Sequence, residues 1–247
     1  MKAGRVVGLI ILGILFFLPG SLAEGAETIP EEFYIHGVIG HPQTLSLSCE
    51  ARSAVDWAAF WGVKIRERKF LVDLPRSDNP DTGFVGDPND PWGNLPPKSY
   101  GVHAKPVADL LRKYGLQAEA RKGVKWKDVQ AEISAGHPVI VWVVGQMWPG
   151  SPVRYFSKDG KNTRVAGHEH TMILVGYNPN VVYGVDAYSG KTLAYSKNAF
   201  LKSWATLGQM VIVGQRKKAE PPLVTQKANP GKFPLLFLPL IISQHYR

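Results

Sequence analysis

Cysteine is nearly absent from this chain of 247 residues, in which Cys49 is the single thiol. One thiol cannot form an internal disulfide bond, and it cannot supply the several thiolates of a structural zinc site or an iron–sulfur cluster. The chain also lacks apolar runs of the about 20 residues that a membrane-spanning helix needs. Hydrophobic residues make up 45% of the chain and charged residues 20%, which are ordinary shares. This balance excludes a disordered chain, a collagen and a multi-span membrane protein, and it predicts one large folded domain, with or without a tail.

The first 23 residues have the three-part pattern of a secretory signal peptide. Lys2 and Arg5 precede an uncharged apolar run over residues 6–18, and small residues ending at Ala23 follow. This run is shorter than the about 20 residues that a membrane-spanning helix needs. We therefore predict export, to the cell envelope or beyond, with cleavage after Ala23. An uncleaved N-terminal membrane anchor is the alternative.

The remaining chain is basic. Residues 24–247 carry 27 basic and 20 acidic side chains, a net charge of +7. This excess permits association with an anionic cell wall or membrane surface, and a solvated basic surface explains it as well. No arginine-rich stripe or zinc-finger spacing indicates a nucleic-acid partner.

Cys49 stands at the start of a predicted helix. Apolar residues recur after it at the spacing of one helix face, and Gly62 then supplies a stop signal. These apolar residues are Ala51, Ala54, Val55, Ala58 and Trp61. The positive end of a helix dipole stabilises a thiolate, although the charge of Glu50 opposes this effect. Cys49 is therefore a candidate nucleophile, and a small buried side chain is the alternative.

A predicted β-hairpin brings a histidine and a carboxylate together. His170 opens a buried strand that ends at Tyr177, and the return strand ends at Asp186. If Tyr177 pairs with Val181, Asp186 lies opposite Met172 and diagonal to His170 on the same face of the sheet. A hydrogen bond between the two would fix the imidazole tautomer, as cysteine–histidine catalysis requires.

Gln43 completes a candidate catalytic set. It lies six residues before Cys49, so its amide and the Cys49 N–H group could form an oxyanion hole. In this hypothesis Cys49 attacks a carbonyl, His170 transfers the proton, and Asp186 orients His170. The alternatives are a surface glutamine, a strand-end histidine and a turn-forming aspartate.

The ordered set of Gln43, Cys49, His170, Gly176-Tyr177 and Asp186 resembles the papain-like (clan CA) cysteine peptidases. It is most similar to the bacteriocin-processing (double-glycine leader) peptidase-like family, and within that family to stand-alone exported members. Four other stretches share this likeness, so that it covers about residues 30–214. They are residues 48–51, 83–88, 100–103 and 136–142.

This resemblance implies an α+β fold in which an N-terminal helix carrying the cysteine packs on an antiparallel sheet carrying the histidine and aspartate. It implies a peptidase domain over residues 24–214 that hydrolyses peptides or proteins without a metal or cofactor. Two departures are Glu50, where exporter-type members have glycine, and Ala187, which follows Asp186 where proline is usual. The fused membrane and ATPase domains of the exporters are not found here, so leader processing is not carried over. A catalytically silent peptide- or wall-binding module and a cell-wall peptide amidase are the alternatives.

The order of predicted elements supports the α+β class, because helices precede most of the strands. Helices are predicted over residues 106–114 and 126–135, and a helical turn over 198–204. Besides the hairpin, strands are predicted over residues 138–144, 192–195 and 209–213.

Residues 80–101 contain five prolines and four glycines, which predicts a long loop without regular structure. Phe84 and Trp92 in this loop could offer apolar pockets to a peptide. The aspartates of the region do not follow the spacing of a calcium-binding EF-hand loop. His103 could line a groove, but a solvated side chain is the more ordinary interpretation.

Two further motifs lack the context that their usual chemistry needs. Gly190-Lys191-Thr192 ends like a phosphate-binding loop, but the required first glycine falls on Val185. His168-Glu169-His170 lacks the i, i+4 helical spacing of zinc peptidases.

Residues 215–247 form a separate segment. A basic, proline-containing linker precedes an apolar run over residues 234–242, which contains two prolines. This run is too short and too interrupted for a spanning helix. Membrane-surface binding, packing on the domain and binding of a partner remain open.

Overall fold

A seven-stranded antiparallel sheet forms the centre of the protein, seen in a computed structural model that describes residues 28–216. The predicted signal peptide and the apolar run over residues 234–242 lie outside the described residues, so the division into signal, domain and tail stays a prediction. Between residues 28 and 216, no helix is both long enough and apolar enough to cross a bilayer.

The strands, in chain order, are β1 (Phe33–Tyr34), β2 (Leu116–Arg121), β3 (Val139–Val144), β4 (Val153–Phe156), β5 (Asn162–Val165), β6 (Glu169–Tyr177), β7 (Val181–Asp186), β8 (Thr192–Ser196) and β9 (Val211–Arg216). The helices are α1 (Cys49–Phe60), α2 (Glu67–Asp73), α3 (Ala104–Lys113), α4 (Trp126–Ser134) and α5 (Lys197–Thr206). The sheet has the order β2-β9-β3-β6-β7-β8, with β1 paired to the end of β6, and β4 and β5 form a separate hairpin.

Strands β3 and β6 lie at the centre of the sheet. Every residue of both strands is buried. Strands covered on both faces are usually rich in apolar residues, as are β3 and residues 172–177 of β6. Helix α1 packs on this centre through small side chains, since Ala51, Ala54 and Ala58 are fully buried. The structure confirms the predicted α+β class, with the cysteine-bearing helix packed on the sheet that carries the histidine and the aspartate.

A buried hydrogen bond fixes how α1 lies on β6. Ser53 Oγ and Thr171 Oγ1 are 3.0 Å apart, and both residues are buried. Ser53 lies one helical turn after Cys49, and Thr171 directly follows His170 in β6. This contact therefore positions the candidate nucleophile relative to the candidate base.

The hairpin of β6 and β7 has the predicted register at its functional end. Met172 pairs with Asp186 as expected, but Tyr177 pairs with Val182 and not with Val181. A register shift in the middle of β6, typical of a β-bulge, takes up the difference of one residue. The predicted pairing of Asp186 with Met172 is confirmed, although the assumed pairing at the turn is wrong.

The predicted helices and strands are present within a few residues of their predicted limits, and the long loop over residues 80–101 contains no helix or named strand. Helix α2, strands β1 and β2 and the β4–β5 hairpin are not predicted. Strands β1, β4 and β5 have two to four residues and helix α2 has seven, too few for a periodic apolar pattern. Strand β2 does alternate apolar and polar residues, a signal in the sequence that could have predicted it.

Two side chains considered for a groove lie in the interior instead. His103 is fully buried, and its Nδ1 atom is 2.7 Å from Asp81 Oδ1. Phe84 is 1% exposed and belongs to the main core. The expectation that Phe84 offers a pocket is therefore wrong, because the loop folds it inward.

We predict that Thr171→Val lowers the free energy of unfolding by about 1–3 kcal/mol, because it leaves the buried Ser53 hydroxyl without a partner. Urea unfolding followed by tryptophan fluorescence measures this change. Ser53→Ala combined with Thr171→Val should lose less than the sum of the two single changes, and Thr192→Val, on an exposed strand position, should change little. Additive losses in the double variant would contradict a direct interaction.

Candidate active site

Cys49 is the first residue of α1. The segment before it is held in place by hydrogen bonds to Glu67, a residue of α2. Ser48 precedes the helix but gives it no side-chain cap. Its hydroxyl donates instead to Glu67 Oε1 at 2.6 Å, and the same oxygen accepts the Thr44 N–H at 3.0 Å. The other oxygen of Glu67 pairs with Arg52 at 3.2 Å. The first-turn N–H groups of α1 therefore remain without a side-chain cap beside Cys49.

His170 and Asp186 form a hydrogen-bonded pair on neighbouring strands. His170 Nε2 lies 2.6 Å from Asp186 Oδ1, and both residues are buried. The second carboxylate oxygen accepts hydrogen bonds from the Ser189 N–H at 2.9 Å and the Ser189 hydroxyl at 2.6 Å. Burial alone would raise the pKa of Asp186, but the bonds from His170 and Ser189 lower it to about 2. Asp186 is therefore ionised at neutral pH and can orient the imidazole.

Gln43, Cys49 and His170 line one cavity of about 730 Å³. Aromatic side chains form much of its wall, and these are Trp92, Trp148 and Tyr188. Trp92, from the long loop, meets the imidazole ring of His170 edge to face with ring centroids 6.1 Å apart. The structure thus brings the four predicted residues to one place, with Asp186 behind His170.

The surroundings of the thiol differ from those expected. Cys49 is 3% exposed, and its Sγ atom donates a hydrogen bond to Glu50 Oε2 over 3.2 Å. Within the described part of the chain, no hydrogen bond joins Cys49 to His170. Burial, and then the charges of Glu50 and Glu169, raise the pKa of the Cys49 thiol well above its usual range. The surroundings of Cys49 therefore oppose the thiolate that the helix dipole was expected to stabilise.

Gln43 lies beside the cavity but uses its amide N–H groups locally. Its Nε2 atom donates to the carbonyl oxygens of Leu45 at 2.8 Å and Ser46 at 3.0 Å. Its Oε1 atom is buried and has no hydrogen-bond partner among the described residues. The Gln43 N–H donates to the Ala187 carbonyl at 2.8 Å, which ties this segment to the end of β7. The Gln43 side-chain amide is therefore near the cavity, but its N–H groups already donate to these two carbonyl oxygens.

Two buried glutamates next to Cys49 were not predicted as site residues. Glu50 is 1% exposed and Glu169 is 2% exposed. Burial raises the pKa of Glu50 to about 7, against hydrogen bonds that lower it. Burial, and then the charge of Glu50, raise the pKa of Glu169 well above its usual range. Glu50 is visible in the sequence because it adjoins the cysteine, but nothing in the sequence indicates that Glu169 reaches it.

In this protein a cysteine begins a helix and lies beside a histidine–aspartate pair on an antiparallel sheet. This arrangement places the protein in the class of cysteine-peptidase-type folds. The chain belongs to the Peptidase_C39 like family, whose model matches residues 36–212. Protein YvpB of Bacillus subtilis (strain 168), itself uncharacterized, is 26% identical over 139 residues, which are 56% of this chain and 53% of that one. The match therefore spans about half the length of that relative.

One solved structure supports the fold, and two others are less similar. A Bacillus anthracis protein described as C39-like peptidase has a TM-score of 0.66 at 21% identity, over 76% of this chain and 99% of that one. A double glycine motif protease from an AMS/PCAT transporter, solved with its leader peptide, has a TM-score of 0.42 at 13% identity, over 75% of this chain and 99% of that one. Xylellain, a cysteine protease from Xylella fastidiosa, has a TM-score of 0.39 at 12% identity, over 77% of this chain and 88% of that one. The fold assignment rests on the first of these.

We predict that Glu50→Gln increases the rate of Cys49 alkylation at about pH 8 several-fold, because it removes a charge that opposes thiolate formation. Iodoacetamide labelling followed by mass spectrometry measures this rate at the single cysteine. The wild-type rate should lie below that of free cysteine. Glu119→Gln, at an exposed position, is the matched control and should leave the rate unchanged. An unchanged rate in Glu50→Gln would refute this account of the thiol.

The raised pKa of Glu50 also predicts a pH dependence of stability. Between its usual pKa of 4.5 and its folded value of about 7, the folded state binds more protons than the unfolded state. The free energy of unfolding therefore falls as pH rises through this range, by up to about 3 kcal/mol from this group. Urea unfolding at several pH values should give a flatter profile for Glu50→Gln than for the wild type. Parallel profiles would contradict the prediction, since the histidines are common to both proteins.

Proposed function

We propose that this protein is an exported cysteine peptidase that hydrolyses peptide or amide bonds with Cys49, His170, Asp186 and Gln43. The observation that carries the proposal is the meeting of Cys49 with the His170–Asp186 pair at one cavity. Membership of a peptidase-like family supports the reaction type. The pattern of residues 1–23 supports export, which N-terminal sequencing of the mature protein tests.

In this mechanism the resting nucleophile is a thiol, since burial and Glu50 oppose the thiolate. Cys49 Sγ forms a bond to the substrate carbonyl carbon while His170 accepts the thiol proton. Asp186, ionised at neutral pH, holds the imidazole and stabilises the imidazolium. His170 then returns the proton to the leaving amine, and water hydrolyses the acyl-enzyme by the same steps.

The developing oxyanion would be held at the start of α1. The uncapped Cys49 N–H is one donor, and the helix dipole adds to its effect. Gln43 would supply the second donor by exchanging its bond to the Ser46 carbonyl for one to the oxyanion. That bond is the longer of the two, at 3.0 Å, and it is exposed.

The cavity wall favours peptides with uncharged, apolar side chains near the scissile bond. Of the residues that line the cavity in the described part of the chain, three have ionisable side chains, namely Cys49, His170 and Tyr188. None is a lysine, an arginine or a carboxylate. Trp92 is 37% exposed and Trp148 is 44% exposed, so both present ring surface to a ligand. Burial of apolar side chains against these rings would supply most of the binding free energy.

The engaged amide of Gln43 and the protonated thiol favour a second candidate, a peptide-binding module that does not cleave. In that case the cavity would retain a peptide intact. The two candidates differ in product formation, so the same peptide library separates them. Cell-wall peptides belong in this library, because an amidase acting on them is the remaining alternative.

We predict that peptide cleavage, detected by mass spectrometry, is lost in Cys49→Ala and falls at least about 10⁴-fold in His170→Ala. Asp186→Ala should cause a smaller loss, because His170 remains but is no longer oriented. His137→Ala is the matched control, since His137 pairs with Glu132 away from the cavity, and it should keep full activity.

Retention of a peptide without cleavage by the wild type would favour the binding module. Cleavage that persists in Cys49→Ala would overturn the proposed mechanism.

A further inference from the structure

Two buried glutamates lie close to the candidate nucleophile Cys49. One ligand atom each of Cys49, Glu50 and Glu169 lies within 4.8 Å of the others, and all three side chains are buried. Within residues 28–216, neither glutamate forms an ion pair with a lysine, an arginine or a histidine. Buried carboxylates usually have such a partner or coordinate a metal ion.

The two glutamates approach from separate elements and meet above one glycine. A Cβ atom at Gly101 would lie 2.2 Å from Glu50 Oε1 and 3.2 Å from Glu169 Oε2, so only glycine leaves room for both carboxylates. Glu50 Oε1 accepts the Val102 N–H at 2.6 Å, which holds this carboxylate in place. The backbone of Glu169 is fixed by the Trp92 indole, which donates to its carbonyl at 2.6 Å. The arrangement is therefore preformed.

One oxygen of this cluster has no partner. Glu169 Oε1 is buried and accepts no hydrogen bond from any described residue, although Glu169 is 2% exposed. An unpartnered carboxylate oxygen in the interior costs roughly 1–3 kcal/mol or more. A cation bound between the three side chains would provide the missing partner.

We propose that Cys49, Glu50 and Glu169 form a binding site for a thiophilic divalent cation of the Zn²⁺ class, and that the bound cation silences Cys49. Zinc takes thiolate and carboxylate ligands, and three protein ligands with one open position are a common set. A tetrahedral zinc ion holds its ligand atoms about 3.5 Å apart. Cys49 Sγ and Glu50 Oε2 lie 3.2 Å apart, close to this spacing, and a ligand atom of Glu169 lies within 4.8 Å of both side chains, so the three would have to draw together around the ion.

Cation binding would couple the cluster to the proposed function. Binding of the cation would release to solvent the thiol proton and any proton held by the two glutamates. A thiolate bound to zinc cannot attack a carbonyl carbon, so the cation acts as an inhibitor that leaves His170 and Asp186 untouched. Binding itself does not depend on hydrolysis. A failure of this proposal therefore leaves the proposed peptidase activity standing, and the reverse also holds.

Cobalt(II), added to the full chain under reducing conditions, tests the site through the thiolate-to-cobalt charge-transfer absorption. We expect this band in the wild type and its loss on addition of Zn²⁺. Glu169→Gln and Glu50→Gln should weaken binding at least about tenfold, and Cys49→Ser should abolish the band. Circular dichroism checks that each variant folds, and both glutamine variants preserve side-chain shape.

His170→Ala separates this site from a cysteine–histidine site, since it should keep the band and keep Zn²⁺ protection of Cys49 against alkylation. Glu132→Gln, at a half-buried surface pair with His137, is the matched control and should bind like the wild type. Absence of the band, unchanged binding in Glu169→Gln, or loss of binding in His170→Ala would overturn the proposal.

Discussion

The hydrogen bond between Ser53 and Thr171 is buried where α1 crosses β6, and it joins residues 118 positions apart in the chain. The small side chains of α1 allow the helix to come close enough to the sheet for this bond to form. This hydrogen bond fixes the position of α1 along β6, and it therefore places Cys49 beside His170. The cavity exists because these two elements meet there. A slip of one residue in β6 would turn His170 to the other face of the sheet and dismantle the site.

The site contains buried carboxylates in two different electrostatic situations. Asp186 receives donors on both oxygens and so stays ionised beside His170. Glu50 and Glu169 lie in an interior that offers them few donors, and both hold their protons more tightly than usual. Both situations occur near the same thiol. The carboxylate of Asp186 is hydrogen-bonded to His170, whereas the charges of Glu50 and Glu169 oppose a thiolate at Cys49. This contrast motivates both the proposed mechanism, which starts from a thiol, and the proposed cation site.

The Gln43–Cys49 segment shows how much of the candidate site depends on distant support. Glu67, from α2, holds the backbone before the helix, and the uncapped helix start is left facing the cavity. The long loop delivers Trp92 to the ring of His170, while it folds Phe84 into the core. A loop rich in proline and glycine can be predicted from composition. Which of its aromatic residues faces a ligand depends on the path of the backbone.

The sequence by itself determined the central strands, the helix that begins at Cys49 and the four candidate residues, because these features are local: apolar periodicity, a stop signal and the register of one hairpin. Even there, the pairing at the turn was wrong by one residue, and a bulge corrected it. Only the tertiary structure decided the burial that raises the pKa of Cys49, the partners of Gln43 and the meeting of Glu50 with Glu169. These depend on burial and on contacts between segments far apart in the chain, which no spacing along the sequence encodes.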